Sequence, residues 1–108
     1  MIYVAGTTSL IPGEIIQHPG EVGPQVVDTL EIIRWAVTEL GLEWDDLAQT
    51  RTYVVGGDEK IDEAVAALEQ SLPNADSGGV ASTVVGVPVL GRPGVVVEIE
   101  ARAVRAPR

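Results

Sequence analysis

The segment from residue 94 to 104, GVVVEIEARAV, alternates side chains in a way that predicts a β-strand. β-Branched residues dominate it, and Pro93-Gly94 marks its start. Because successive side chains of a strand point to opposite faces, one face is apolar throughout and the other carries Glu98, Glu100 and Arg102 between valines. This second face fits two interpretations: a solvated surface on which Glu100 and Arg102 offset each other, or a site that contains a partly buried carboxylate.

Similar patterns predict five elements before this strand. A short apolar run at 2–6 predicts a buried strand, and the turn-rich segment 7–23 predicts either a short hairpin around 13–17 or a cover over a pocket. A helix is predicted from about residue 24 to 40, because apolar residues recur at helical spacing and Gly41 suits the C-terminal cap. A strand follows at 47–55. A second helix is predicted with Asp58 as its N-cap and Pro73 as its end, before a strand at 80–87.

The resulting order, β-α-β-α-β-β, predicts a single α+β domain over residues 1–108. Crossover connections place both helices on one face of the sheet. The other face also carries apolar side chains, since the strand at 80–87 has no charged residue. Two helices cannot cover both faces, so we expect the second face to be buried by self-association.

Composition narrows the possible functions. The formal net charge is −9 and Lys60 is the single lysine, which disfavours binding to nucleic acid. There is no cysteine and His18 is the only histidine, so the sequence predicts no thiolate nucleophile, no metal centre and no cofactor. No segment has the length and hydropathy of a membrane span or the pattern of a signal peptide, and a soluble cytoplasmic protein with no membrane partner is expected.

The chain resembles the RidA/YjgF family, also known as the translation-inhibitor or L-PSP proteins. The matching segments, in the family's order, are IYVAG at 2–6, GL at 41–42, WDDL at 44–47, TRTYV at 50–54 and VEIEARA at 97–103. The resemblance implies a fold like that of chorismate mutase, assembled as a homotrimer whose sheets face a central axis. It also implies small-molecule pockets at the subunit interfaces and hydrolysis of reactive enamines and imines to ammonia and a 2-oxo acid.

Two departures from the family pattern affect this expectation. Active members carry an arginine, which grips the substrate carboxylate, at the position that corresponds to Ala81 here. An alanine cannot bind a carboxylate, so the substrate or its mode of binding is expected to be atypical. The family's usual N-terminal strand is also expected to be absent, which would widen the pocket.

The resemblance places Glu98 at the family's catalytic glutamate, which orients the attacking water. An interface salt bridge is the alternative role for Glu98. Candidate substrate-binding residues accompany it. Thr83 shares a strand face with Ala81, at a position that usually lines the pocket in the family, and Ser82 lies between the two. Thr7 follows Gly6, where the family's chain turns over the site.

Two further candidates come from the residues themselves. Arg51 would either replace the missing anion clamp or pair with surface acids. His18 would act either as an acid or base near neutral pH or as an ordinary exposed loop residue.

Two functions therefore follow from the sequence. The first is a trimeric, cofactor-free hydrolase, deaminase or tautomerase acting on an enamine, imine or carbonyl compound, with Glu98 handling the proton. The second is a non-catalytic ligand-binding or regulatory trimer that kept the fold.

Overall fold

The strands form two sheets in the computed structural model, which describes residues 1–13, 15–74 and 79–105. Numbered in chain order, they are β1 (Ile2–Thr7), β2 (Leu10–Ile11), β3 (Ile15–Ile16), β4 (Leu47–Val55), β5 (Ala81–Val87) and β6 (Val97–Ala103). The main sheet has the order β1-β6-β4-β5, with β6 antiparallel to both its neighbours and β5 parallel to β4. β2 and β3 form a separate antiparallel hairpin within the turn-rich segment.

Two helices, α1 (Val22–Glu39) and α2 (Asp58–Ser71), pack on one face of the main sheet, as the crossover argument predicts. A short 3₁₀ turn, Trp44–Asp46, leads into β4. The core is aliphatic and joins the buried stripe of α1 to the apolar face of β6: Val26, Leu30, Ile33, Val37, Val97, Ile99, Ala101 and Ala103. The predicted order of helices and strands is therefore confirmed, and the turn-rich segment contains the short hairpin that was one of its two predicted alternatives.

The ends of the helices differ slightly from the sequence prediction. α1 begins at Val22, two residues before Pro24, because Val22 is itself part of the core. Gly41 follows its C-terminus with φ +89° and the two hydrogen bonds of a Schellman motif, Gly41 N to Thr38 O and Leu42 N to Val37 O. The N-cap of α2 is Gly57 and not Asp58, which lies in the first turn, where a negative charge is favoured by the helix dipole.

A fully buried glutamine, Gln25, connects α1 to the two segments that flank the start of β6. Its Nε2 donates to the carbonyl oxygens of His18 (2.9 Å) and Gly94 (2.7 Å), and its Oε1 accepts from the Val96 amide (2.9 Å). The Gly20 amide also donates to Gly94 O, at 2.9 Å. These bonds fix where β6 begins, and therefore where the polar residues of β6 lie.

Candidate functional site

The face of the main sheet opposite the helices, which we call the open face, carries the polar side chains of β6. Strand register arranges it in three rows, which run Ala81–Gln49–Arg102–Tyr3, then Thr83–Arg51–Glu100, then Val85–Tyr53–Glu98. Neighbouring strands lie about 4.8 Å apart. The open face therefore brings Glu98, Glu100, Arg51 and Thr83 onto one surface, with β4 separating the residues of β5 from those of β6.

Glu98 lies at the end of β6 that is nearest to Gly6. Its side chain is half-buried, and it forms no hydrogen bond or ion pair with a residue in the described parts of the chain. A Cβ atom placed on Gly6 would come within 2.9 Å of both Cδ and Oε2 of Glu98. The carboxylate thus packs directly against the backbone of β1, and a glycine at position 6 leaves room for it.

Replacing Gly6 with alanine is expected to displace this carboxylate with little effect on the fold. The atoms in the way belong to the flexible end of a side chain, and Gly6 has no positive φ that alanine would resist. We expect the turnover of any substrate that Glu98 serves to fall by about tenfold or more, since small misplacements of a catalytic group are costly. Steady-state kinetics and thermal unfolding of Gly6→Ala and of Gly91→Ala, where a Cβ meets open space, measure the two effects separately.

Equal activity in the two variants would show that the position of Glu98 against β1 has no functional importance.

The other predicted residues do not all share this surface. Arg51 is exposed and lies in register between Thr83 and Glu100, and Ala81 lies beside Gln49. The other predicted residues on the open face are therefore Arg51, Thr83 and Ala81. Ser82 is on the helix side of the sheet, where its Oγ lies 3.0 Å from Oγ1 of Thr50. The sheet therefore separates Ser82 from Glu98.

Thr7 and His18 are held by local contacts. Thr7 pairs with the core residue Ile99, and its hydroxyl donates to the Ala5 carbonyl at 2.9 Å. His18, at φ +50°, has its Nδ1 2.6 Å from Oδ2 of Asp28 on α1. Thr7 thus ends the strand that carries Gly6, and His18 is tied to α1.

A network that the sequence analysis missed surrounds Glu100. The Tyr3 hydroxyl donates to Oε2 of Glu100, and the Tyr53 hydroxyl donates to Oε1 at 2.7 Å. Strand alternation places Tyr53 and Glu100 on the face of Arg51, but the pairing of β1 with β6, which brings in Tyr3, has no signal within either strand. Each carboxylate oxygen of Glu100 thus has its own phenolic donor.

The two tyrosines lower the pKa of Glu100, with the Tyr3 bond as the larger cause, the Tyr53 bond next, and the positive charges of Arg51 and Arg102 adding to them. The same bond raises the pKa of Tyr3, because the proton on its hydroxyl is held by the carboxylate. Glu100 is therefore charged at neutral pH, and both of its oxygens accept a hydrogen bond. Glu98 is the carboxylate of this face that has no such partner among the described residues.

The stability that this network provides is expected to disappear in acid. Because the pKa of folded Glu100 lies below its usual value of 4.5, the stabilisation is fully present above that value and is lost as pH falls through the lowered pKa. A Tyr3→Phe/Tyr53→Phe variant should therefore be less stable than the wild type at neutral pH, by an amount that shrinks as the pH falls below 4.5. Urea unfolding of both proteins across this range measures the difference, and a difference independent of pH would contradict the expectation.

The described residues form neither a metal site nor a membrane-spanning helix. Within residues 1–13, 15–74 and 79–105 no group of three or more acidic or histidine side chains is placed to hold a metal ion. None of the helices in these ranges is long and apolar enough to cross a membrane.

Comparison with known proteins decides the family. The sequence model of the endoribonuclease L-PSP family matches residues 1–105. The chain belongs to this family. The expected resemblance to RidA/YjgF proteins is thereby confirmed. A search of curated protein sequences finds no match.

Solved structures of L-PSP relatives share the fold. Rv2704 from Mycobacterium tuberculosis, a member of the YjgF/YER057c/UK114 family, is 29% identical with a TM-score of 0.74, over 94% of this chain and 75% of its own. The YjgF gene product of Escherichia coli is 25% identical with a TM-score of 0.79, over 96% and 80%. YyfB of the Rid family from Yersinia pestis, at 22% identity and a TM-score of 0.76 over 94% and 76%, supports the fold alone. The predicted chorismate-mutase-like α+β architecture is therefore confirmed.

Proposed function

We propose that this protein is a homotrimeric, cofactor-free enzyme of the hydrolase or deaminase type, or a tautomerase, which acts on a small enamine, imine or carbonyl compound at its subunit interfaces. The observation that carries the proposal is the half-buried carboxylate of Glu98, which lies against Gly6 and is bound to no described residue. A carboxylate in this state is available to accept a proton or to orient a water molecule.

The chemistry of imine hydrolysis fits a single carboxylate. Water adds to the carbon of the C=N bond while the carboxylate of Glu98 takes one of its protons, and the nitrogen takes a proton from solvent. In the carbinolamine so formed, Glu98 then returns its proton to the nitrogen as the C–N bond breaks and ammonia leaves. The hydroxyl group loses its proton to solvent, which gives the carbonyl compound and regenerates the carboxylate. In a tautomerisation, the same group would remove a proton from one atom and deliver it to another.

Self-association would complete such a pocket. The family is generally homotrimeric, and the open face exposes apolar surface, with Tyr3 53% and Val85 38% accessible. Burial of this surface between copies would remove it from water. Light scattering coupled to size-exclusion chromatography is expected to give three times the 11.4 kDa chain mass, and a monomer would contradict the assembly.

A second candidate is a ligand-binding or regulatory trimer without catalysis. Ala81, at the position where active relatives carry the carboxylate-binding arginine, is the observation that favours it. RNA cleavage, which the family description names, is poorly served by a chain of net charge −9.

The test that separates the candidates is the decay of 2-iminobutyrate generated in situ, followed with the wild type, Glu98→Gln and Ala81→Arg. Acceleration by the wild type that Glu98→Gln lacks supports the enzyme. An inert wild type with an active Ala81→Arg variant indicates a working scaffold for another substrate. Three inert proteins would favour the ligand-binding alternative.

A further inference from the structure

A small cleft on the open face lies directly over β6 and is distinct from the surroundings of Glu98. Its volume is about 90 Å³, and it is lined by Tyr3, Gln49, Arg51, Glu100, Ala101 and Arg102. Pockets that enclose whole small-molecule ligands usually measure about 300 Å³ or more, so this cleft has the size of a subsite for one functional group. We refer to it as the arginine cleft.

Within a single copy, the guanidinium donors of the arginine cleft have no acceptor among the described residues. Glu100 is the neighbour of Arg51 in register, but its two oxygens are taken by the hydroxyls of Tyr3 and Tyr53. Neither Arg51 nor Arg102 forms a hydrogen bond or an ion pair with a residue in the described ranges. Because both oxygens of Glu100 accept hydrogen bonds from tyrosines, this carboxylate leaves the two guanidinium groups unpaired within the described residues.

One of these guanidinium groups is held in place. The Arg102 guanidinium carbon lies 5.5 Å from the centre of the Tyr3 ring, within the range of a cation–π contact. Tyr3 is itself anchored by its bond to Glu100. Arg102 is therefore positioned before any ligand arrives, which reduces the entropy lost on binding.

The charge of the cleft selects the kind of ligand. Two guanidinium groups and one carboxylate give its lining a net charge of +1, whereas the whole chain carries −9. A singly charged carboxylate matches this lining. A phosphate monoester, with a charge of about −1.5 to −2, would exceed it and would meet the repulsion of the chain as a whole. The planar fork of an arginine also suits the two oxygens of a carboxylate.

We infer that Arg51 and Arg102 form a binding subsite for the carboxylate group of a small monocarboxylate ligand. This subsite is on the open face, with Arg51 on β4 and Arg102 on β6. It is therefore separate from β5, the strand on which Ala81 stands in place of the family's usual clamp. The carboxylate belongs either to the substrate or to a separate small-molecule effector, and only its assignment to the substrate rests on the proposed function.

Binding of 2-oxobutyrate to the full chain, measured by isothermal titration calorimetry, tests the subsite directly. Arg51→Gln and Arg102→Gln are each expected to raise the Kd by about tenfold or more, since each removes a charged hydrogen-bond donor. Arg34→Gln removes the same charge from α1, where Arg34 lies over Trp44, and is expected to change the Kd by less than about twofold. Arg51→Lys keeps the charge but loses the fork, so its Kd should lie between those of the wild type and Arg51→Gln.

The uncharged methyl ester of 2-oxobutyrate is the matched control ligand. Its binding should be weaker and should not respond to either arginine substitution. If 2-oxobutyrate shows no saturable binding, if its Kd is unchanged in both glutamine variants, or if inorganic phosphate binds more tightly, the subsite does not exist as inferred. Circular dichroism of each variant confirms that a weakened Kd does not result from unfolding.

Kinetics then identifies the source of the carboxylate. If it is the substrate's own, Arg51→Gln raises the KM for 2-iminobutyrate and 2-oxobutyrate competes with it. If it belongs to an effector, 2-oxobutyrate changes the rate without competing. If 2-oxobutyrate binds through Arg51 but no imine is hydrolysed, the subsite is supported and the proposed function is rejected. If imine is hydrolysed, but neither the KM nor the binding of 2-oxobutyrate changes in the two glutamine variants, the function is supported and the subsite is rejected.

Discussion

Replacing Glu98 with glutamine is expected to reduce imine hydrolysis by about 100-fold or more, which is the contribution that a positioned acid or base makes to proton transfer. Glutamine has nearly the same shape, so the packing against Gly6 is kept while the proton acceptor is lost. The loss should therefore fall on kcat, with little change in KM or in the free energy of unfolding. Stopped-flow measurement of imine decay at several substrate concentrations separates the two parameters.

Glu31→Gln provides the matched control for this substitution. Glu31 is exposed on α1, so its replacement removes one negative charge far from the open face. We expect its activity to equal that of the wild type. An equal loss in both variants would indicate a general charge effect, and full activity in Glu98→Gln would remove Glu98 from the mechanism.

Replacing Gln25 with methionine is expected to have the largest effect on stability, a loss of about 3 kcal/mol in the free energy of unfolding. Methionine has a similar length but can neither donate to the carbonyls of His18 and Gly94 nor accept from the Val96 amide. The two carbonyls keep a second donor each, from Glu21 N and Gly20 N, so the amide of Val96 bears most of the cost. A buried donor that is left without a partner is more expensive than the average hydrogen bond.

Urea unfolding of Gln25→Met and of Gln70→Met, at an exposed position of α2, measures this effect with its control. The control is expected to change the free energy of unfolding by less than about 0.5 kcal/mol. A loss below about 1 kcal/mol in Gln25→Met would show that the start of β6 is held by its other contacts. Because Glu98 follows Val96 by two residues, we also expect reduced activity in Gln25→Met, even under conditions where it is folded.

The sequence predicted the main elements well because each carries its signal within its own residues. The alternation in 94–104 gave the strand and correctly assigned Glu98, Glu100 and Arg102 to one face. Gly41 marked the end of α1 because a positive φ is needed there. The start of α1 was placed two residues late, since the core contact of Val22 depends on packing that no local pattern records.

Contacts between residues that are distant along the chain could not be predicted from local sequence patterns. The three partners of Gln25 are 7, 69 and 71 residues away along the chain, and Tyr3 meets Glu100 across 97. Each of these depends on the strand order and on the register shift between Val4 and Thr7, where β1 bulges against β6. The candidate residues were therefore identified by alternation and family resemblance, whereas the arginine cleft needed the assembled sheet.

The strand order also has a consequence for how the protein is made. β6 lies in the interior of the sheet and is the only strand that joins β1 to β4 among the described elements, although it is the last of them in the sequence. Until residues 97–103 have left the ribosome, β1 has no neighbour to pair with, and the apolar side of α1 lacks the surface on which it packs. Folding of the sheet is thus expected to wait until β6 has been synthesised, and the apolar side of α1 stays exposed to aggregation until then.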